Sequence, residues 1–319
     1  MKKIFLSKYS IALEKECRYL AKLINADFNI GIQLNRRSLS QCKSKCEVHI
    51  YNTSIATPWY LFWAKIYDLK TIFYCHEPNK KDIFKYYKGS AIAKHIVVKW
   101  INFVSIILSS ETILLSAYGL KRAQQYPLMN RYSAKLKVQN IQLPKISMRK
   151  SNLQRNIILV FGQLNATKQP YWIRDYVKYS NFLRGKVKLV IVTASNEFDY
   201  LEKLQGDNPS KFSIIRSDKL TDEMISKYLD VSFATIHLHH CVTQSGAVVE
   251  SLRHGVPVVC LNTSGFNQFY SKGIMELIDE YNYTDLDSSI KQLSHSQLMR
   301  REKCFEFFQR NFSGKQYLK

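Results

Sequence analysis

The sequence predicts an α/β protein built from two doubly wound, Rossmann-like domains facing a central cleft. Three observations point there. Short, continuous apolar runs recur along the chain, helix-like segments separate them, and the rhythm pauses over residues 140–155 before starting again. Strands buried on both faces of a parallel sheet read as unbroken apolar runs, whereas half-exposed strands alternate. At 319 residues the chain is long enough for two cores.

In chain order, "KKIFLS", "EVHIYN", "KTIFYCHEP" and "ETILLSA" read as strands of the first domain. "NIILVFG", "VKLVIVTAS", "KFSIIRS", "VSFATIHL" and "VPVVCL" read as strands of the second. Between them "QNIQLPKISMRKSNLQRN" is polar, aperiodic and contains Pro144, so it reads as the linker. The expected domains are 1–145 and 156–319, with the last helix able to cross back to the first. Ligands of open parallel sheets bind beyond the carboxyl ends of the strands. The loops to watch are therefore Asn52 to Ser54, His76 to Pro78, Gly162 to Lys168, Thr193 to Ser195, His239 to Gly246 and Asn262 to Gly265.

Charge is unevenly divided. Residues 1–150 carry 26 Lys/Arg against 8 Asp/Glu, a net of +18, and the remainder carries 21 against 17, a net of +4. A field polarised in this way attracts an anionic partner. Seven scattered cysteines suit thiols in a reducing compartment better than a disulfide framework. Cys42, Cys46 and His49 lack a fourth ligand at useful spacing, so no metal site is expected there. The N-terminal "MKKIFLSKYS" has too short an apolar run for a signal peptide, and the expected location is the cytoplasm.

Two segments of the second half can hold a phosphorylated ligand. In "TQSGAVVESLRHGVPVVCLN", Ser245 and Gly246 precede a short helix, whose first N–H groups and partial positive charge suit phosphate. Glu250 lies one turn further on. It is either within reach of a ribose or paired with Arg253 or His254 on a solvated face. In "VFGQLNATKQP", a strand ends at Gly162, and Lys168 near the next helix can neutralise phosphate as a point charge. Further cations could come from Arg216, His239 or His240, each of which could equally be a packed or surface residue. The one Asp-x-Asp, Asp285 and Asp287, follows no buried strand and reads as a helix start capped by Thr284 or Asp285, not as a metal site.

These segments resemble retaining GT-B glycosyltransferases, above all glycosyltransferase family 4. "FGQLNATKQP" is similar to the family's "GRLxxxKG", and "SGAVVESLRHGVPVVCLNTSG" to the donor-binding end of its E-x7-E motif. "VHIYNTS", "TIFYCHEP" and "TILLSAYGLKRA" are similar to its N-terminal strands. The resemblance implies that Glu250 binds ribose and Lys168 the diphosphate. It further implies that Gly162 allows close approach, that Ser245 and Gly246 contact phosphate through the backbone, and that His76 stands near the anomeric centre. The chain departs from the pattern at Val242, where the family has its first glutamate, and at Gln163, where it has a phosphate-binding arginine. Gly246 sits one place later than the family's glycine, and "TQSGAVVES" is also similar to the helix of the inverting family 28 enzymes.

The resemblance implies a metal-independent, retaining transfer from a nucleotide-sugar to a lipid-linked or oligosaccharide acceptor, in bacterial surface-polysaccharide or lipopolysaccharide synthesis. No cofactor is expected. The mixed aromatic and lysine segments Pro58 to Lys70 and Asp82 to Leu108 read either as buried helices with solvated lysines or as a surface for anionic membrane. The second reading places the protein peripherally on the inner face of the plasma membrane. An epimerase of the same fold would not need that surface. A nucleic-acid binder would leave Gly162, Lys168 and Glu250 without a role, and no nucleic-acid module is recognisable.

Overall fold

A computed structural model describes residues 2–6, 11–30, 39–40, 42, 46–51, 54–76, 88–147, 155–164, 168, 170–183, 187–195, 198–240, 242 and 244–314. Two compact units are present: Met1–Pro144 with Phe312–Lys319, and Lys145–Asn311.

The first unit runs β1 (Lys2–Leu6), α1 (Ile11–Ile24), β2 (Asp27–Ile30), β3 (Glu47–Tyr51), α2 (Thr57–Ile66), β4 (Lys70–Cys75), α3 (Ser90–Leu108), β5 (Glu111–Leu114), α4 (Ala117–Gln124), α5 (Pro127–Asn130) and β6 (Leu136–Val138). Its sheet has the order β2-β1-β3-β4-β5-β6, with every pairing parallel. The strands β2 and β6 were not evident as apolar runs. Both are edge strands, short and partly polar, as unpaired edges tend to be. Phe5, Val48 and Ile50 pack with Leu61 and Ala64 of α2, and Phe73, Cys75 and Leu114 pack with Ile106 of α3.

A polar column crosses this sheet. The His49 ring lies with Nε2 2.7 Å from Glu47 Oε1 and Nδ1 3.1 Å from the Tyr74 hydroxyl. Tyr74 stacks on Tyr51 at 3.9 Å between centroids. Both ring nitrogens of His49 are thereby engaged within the sheet. The His49 hydrogen bond, helped by Lys70, holds the Glu47 carboxyl down to about 2. The cysteines among the described residues are thiols, and all are buried.

The segment after β6 has no regular secondary structure, yet Ile141 and Leu143 are buried. Here the chain's late residues rejoin the first unit. Leu143 N donates to the Phe312 carbonyl at 2.9 Å, Tyr19 donates its hydroxyl to the Ser313 carbonyl at 3.1 Å, and Gly314 N donates to the side-chain oxygen of Gln142.

The second unit runs β7 (Ile157–Phe161), α6 (Trp172–Tyr179), β8 (Lys188–Thr193), α7 (Tyr200–Asp207), β9 (Phe212–Arg216), α8 (Asp222–Asp230), β10 (Ser232–His237), α9 (Gly246–Arg253), β11 (Val258–Leu261), α10 (Ser264–Asn267), β12 (Met275–Ile278), α11 (Tyr283–Ser294) and α12 (Gln297–Phe312). Its sheet is parallel throughout, in the order β12-β11-β10-β7-β8-β9. Alternate residues of β7 feed opposite cores. Ile158 and Val160 meet Trp172 and Ile173, whereas Leu159 and Phe161 meet Ile225 and Leu229. Burial on both faces is why these strands read as continuous apolar runs. The strand order reverses between β7 and β10, and ligands of such sheets bind outside the strand ends at the reversal.

Candidate active site

At the reversal, β7 is followed directly by Gly162, whose φ of +94° favours glycine. Gly162 N donates to the Val192 carbonyl at 3.0 Å, which bends the chain over β8. A Cβ on Gly162 would stand 3.5 Å from Lys168 Nζ, so the lysine folds back beside the strand end it follows. The ammonium lines a cavity of about 10 Å³ with Leu164, Trp172, His237 and His239. Burial lowers the Lys168 pKa to about 8, leaving it mostly protonated at neutral pH. Lys168 thus lies beside the strand end it follows, and Gln163 is exposed.

The neighbouring strand β10 leads to α9. Ser245 caps this helix, its Oγ accepting from Val248 N at 3.4 Å. No heavy atom outside the local chain would lie within 4 Å of a Cβ on Gly246. The backbone at the helix start is therefore open to a ligand, and its first N–H groups have no intrahelical acceptor. Ser195, in another of the loops singled out, donates its hydroxyl to the Leu164 carbonyl at 2.7 Å and steadies the turn after Gly162.

Glu250 adopts the paired arrangement that its spacing allows. Its Oε1 accepts from Arg253 Nη1 at 2.8 Å and lies 3.2 Å from His254 Nε2. Asp230 approaches His254 from α8, 3.7 Å from Nδ1. Arg216 is drawn to the edge of the sheet. Its guanidinium donates to Glu202, to the Ser195 carbonyl and to the Phe198 carbonyl, and the Glu202 bond raises its pKa. The structure does not bring it to Lys168. β9 is an edge strand two places from β7.

The ring of His239 lies 6.2 Å from His237 and 5.8 Å from Phe266, while His240 is half-buried. His76 belongs to the first unit, just past β4, and burial lowers its pKa to about 4, so it is neutral at physiological pH. Asp287 has a structural task. It accepts from Ser180 Oγ at 2.5 Å and from Asn181 N at 2.9 Å, tying α11 to the end of α6. The cap of α11 is Asn282, whose Oδ1 accepts from Thr284 N at 2.8 Å, in place of the expected Thr284 or Asp285. The Asn282 side chain, two residues before Thr284, takes the Thr284 N–H instead. Asn52, Thr53, Glu77, Pro78, residues 165–167, Cys241 and Thr243 lie outside the described residues, as do residues 82–87 of the basic segment.

Two features escaped the sequence reading. One is His237, read only as part of an apolar strand, which lies buried beside Lys168. The other is the packing of Gly265, which the sequence placed only at the end of a loop to watch: a Cβ there would stand 1.8 Å from the Val242 carbonyl oxygen. The backbone at Val242 thus rests directly on the start of α10. A glycine directly after "NTS" beyond a buried strand was the one available hint.

No family model matches the chain, and no curated protein matches it significantly. Solved structures do. Anabaena Alr3699/HepE in complex with UDP superposes with a TM-score of 0.66 at 14% identity, covering 99% of this chain and 97% of that one. TarM superposes at 0.64 and 14% identity over 94% of this chain, which spans 55% of TarM. The trehalose-6-phosphate phosphatase N-terminal domain of Candida albicans superposes at 0.68 and 9% identity, covering 99% and 94%. At these identities the likeness establishes the fold. The chain has the two-unit α/β architecture of GT-B glycosyltransferase structures, and a fold alone does not fix an activity.

Proposed function

We propose that the protein is a glycosyltransferase that takes a sugar from a nucleoside-diphosphate donor. The observation that carries this reading is the cationic seat at the strand reversal of the second unit. There the Lys168 ammonium folds back over Gly162, and the neighbouring strand leads to the open, Ser245-capped start of α9. A departing diphosphate gains negative charge as the glycosidic bond breaks. A fixed ammonium and a helix N-terminus stabilise that charge without a metal. The HepE structures hold UDP and UDP-glucose, which supports a uridine nucleotide as the first donor to try.

In this reading Glu250 contributes at the ribose while remaining braced by Arg253 and His254. His76, uncharged, positions sugar and acceptor by hydrogen bonding, and the transfer is retaining. Arg216 holds the Ser195 and Phe198 carbonyls.

The acceptor is proposed to be lipid-linked and met at an anionic membrane, in bacterial surface-glycan synthesis on the cytoplasmic side. The first unit supports this. α2 and α3 pack against each other, yet Trp59, Phe62 and Ile66 on one and Val97, Trp100 and Val104 on the other are exposed. Both sets follow three- and four-residue helical spacing, so each forms a stripe. Neither helix contains an acidic residue, and Lys65, Lys94 and Lys99 accompany the stripes. Aromatic and aliphatic stripes fringed only by lysines suit a bilayer interface with anionic headgroups. No described helix is long and apolar enough to cross a membrane.

The test is a panel of nucleotide-sugars with lipid-linked acceptors, with product identified by mass spectrometry. Wild type is expected to transfer sugar from one donor, and Lys168→Ala to lose that transfer while keeping its circular dichroism spectrum. Normal turnover by Lys168→Ala would sink the site assignment. Conversion of the donor to an epimer without transfer would instead identify a nucleotide-sugar epimerase.

A further inference from the structure

The seat contains a buried titratable group that the mechanism above does not use. His237 closes β10 at 2% exposure and shares the small cavity with Lys168. Its Nε2 lies 3.2 Å from Thr235 Oγ1 and 3.3 Å from Ser251 Oγ. The two hydroxyls have already placed their single hydrogens. Ser251 donates to the Ala247 carbonyl at 2.9 Å, and Thr235 donates to Ser251 Oγ at 3.0 Å. A hydroxyl has one proton to give, so the His237 nitrogen facing the pair must be the donor. That fixes the ring as the Nε2–H tautomer and leaves Nδ1 as a lone pair.

The same three side chains span two elements of the seat. Thr235 and His237 belong to β10, and Ser251 and the Ala247 carbonyl belong to α9. The network therefore fastens the helix whose start receives phosphate to the strand end beside the lysine. Phe161 meets the imidazole edge-on, with centroids 5.4 Å apart, and restricts its rotation from the β7 side.

We propose that His237 is a positioning residue for Lys168: its ring, locked by Thr235 and Ser251, is the uncharged polar wall that sets the ammonium relative to the start of α9. The inference rests on the nucleoside-diphosphate reading of the seat. Among the residues lining the cavity from β7, β10 and α6, only Lys168, His237 and His239 titrate. A second positive charge beside the lysine would repel the ammonium and lower its own protonation. His237 avoids this, since burial first and the Lys168 charge second depress its pKa to about 3.

Two measurements test the proposal. Competitive acetylation of the full chain from neutral to alkaline pH, read by peptide mass spectrometry, gives the titration midpoint of Lys168 with no nucleotide present. Calorimetric titration with UDP reads the seat. Wild type is expected to show a midpoint near 8. His237→Phe replaces a polar wall by an apolar one. It should lower the midpoint by about half a unit or more, because the ammonium loses local polarity, and should weaken UDP by about fivefold or more. His237→Gln retains an N–H donor for the hydroxyl pair and should restore both readings towards wild type. Should His237→Phe not fold, Ser251→Ala takes its place and should give a smaller shift in the same direction. A role confined to packing would alter thermal stability and leave the Lys168 midpoint unmoved, and that result overturns the proposal. A moved midpoint in a protein that binds no nucleoside diphosphate would uphold the role of His237 and reject the nucleotide reading.

Discussion

The substitution Gly246→Ala separates the ligand's demands on the seat from those of the fold. A Cβ at this position would meet nothing within 4 Å, and the φ is not in the positive range. The protein itself gives no reason for glycine there. Replacing a helical glycine by alanine reduces the freedom of the unfolded chain and stabilises by ~0.4–1 kcal/mol. For a unit of this size that corresponds to a rise of about 1–4 °C in Tm. If a diphosphate approaches this backbone, the new methyl occupies its place, and UDP affinity should fall by about tenfold or more, equivalent to ~1.4 kcal/mol. Gly265→Ala is the counterpart. Its Cβ would stand 1.8 Å from the Val242 carbonyl oxygen, a backbone atom that no side-chain rotation can move. The loop leading to Ser245 must retreat, at ~1–3 kcal/mol or more, and both Tm and UDP affinity should drop. Differential scanning calorimetry and UDP titration on the two variants read the contrast. Undiminished UDP binding by Gly246→Ala would refute the placement of phosphate at the start of α9.

Glu47 has its pKa depressed from 4.5 to about 2, so its contribution to stability is complete above 4.5 and disappears as pH falls towards 2. Acid denaturation followed by circular dichroism should show a shallower loss over that window in Glu47→Gln than in wild type. Asp287→Ala removes the acceptor for Ser180 Oγ and Asn181 N and should destabilise by ~1–3 kcal/mol in urea titrations, with UDP affinity unchanged. Trp59→Ser with Trp100→Ser should reduce sedimentation with phosphatidylglycerol vesicles by about tenfold while binding to zwitterionic vesicles stays low throughout. Equal sedimentation of variant and wild type would remove the stripes from the docking surface.

The fold was largely legible because its central strands are covered on both faces. Ile157–Phe161 and Lys188–Thr193 could hardly be anything but buried strands. The strands that escaped, β2, β6 and β12, sit at sheet edges, where half the backbone is unpaired and the side chains need not be apolar. The site was legible where a backbone rule operates, as at Gly162 and at the Ser245 cap. It was not legible where long side chains choose among partners. Arg216 ends a strand in the expected way, yet its reach to Glu202 and the Ser195 carbonyl follows from a turn that no spacing announces. His237 was hidden for the opposite reason. A histidine inside an apolar strand looks like packing until Thr235 and Ser251, separated in sequence, are seen to share it.

The hydrogen bond from Leu143 N to the Phe312 carbonyl, with Tyr19 and Gln142 holding Ser313 and Gly314, has a consequence for biogenesis. A chain emerging from the ribosome presents the whole sheet of the first unit before any of the second. It cannot seal that unit until residues 312–314 arrive, after the entire second unit has been synthesised. The unit begun first is therefore finished last. A nascent chain arrested before Phe312 would expose the edge around Ile141 and Leu143, the place where chaperone engagement and proteolysis should concentrate.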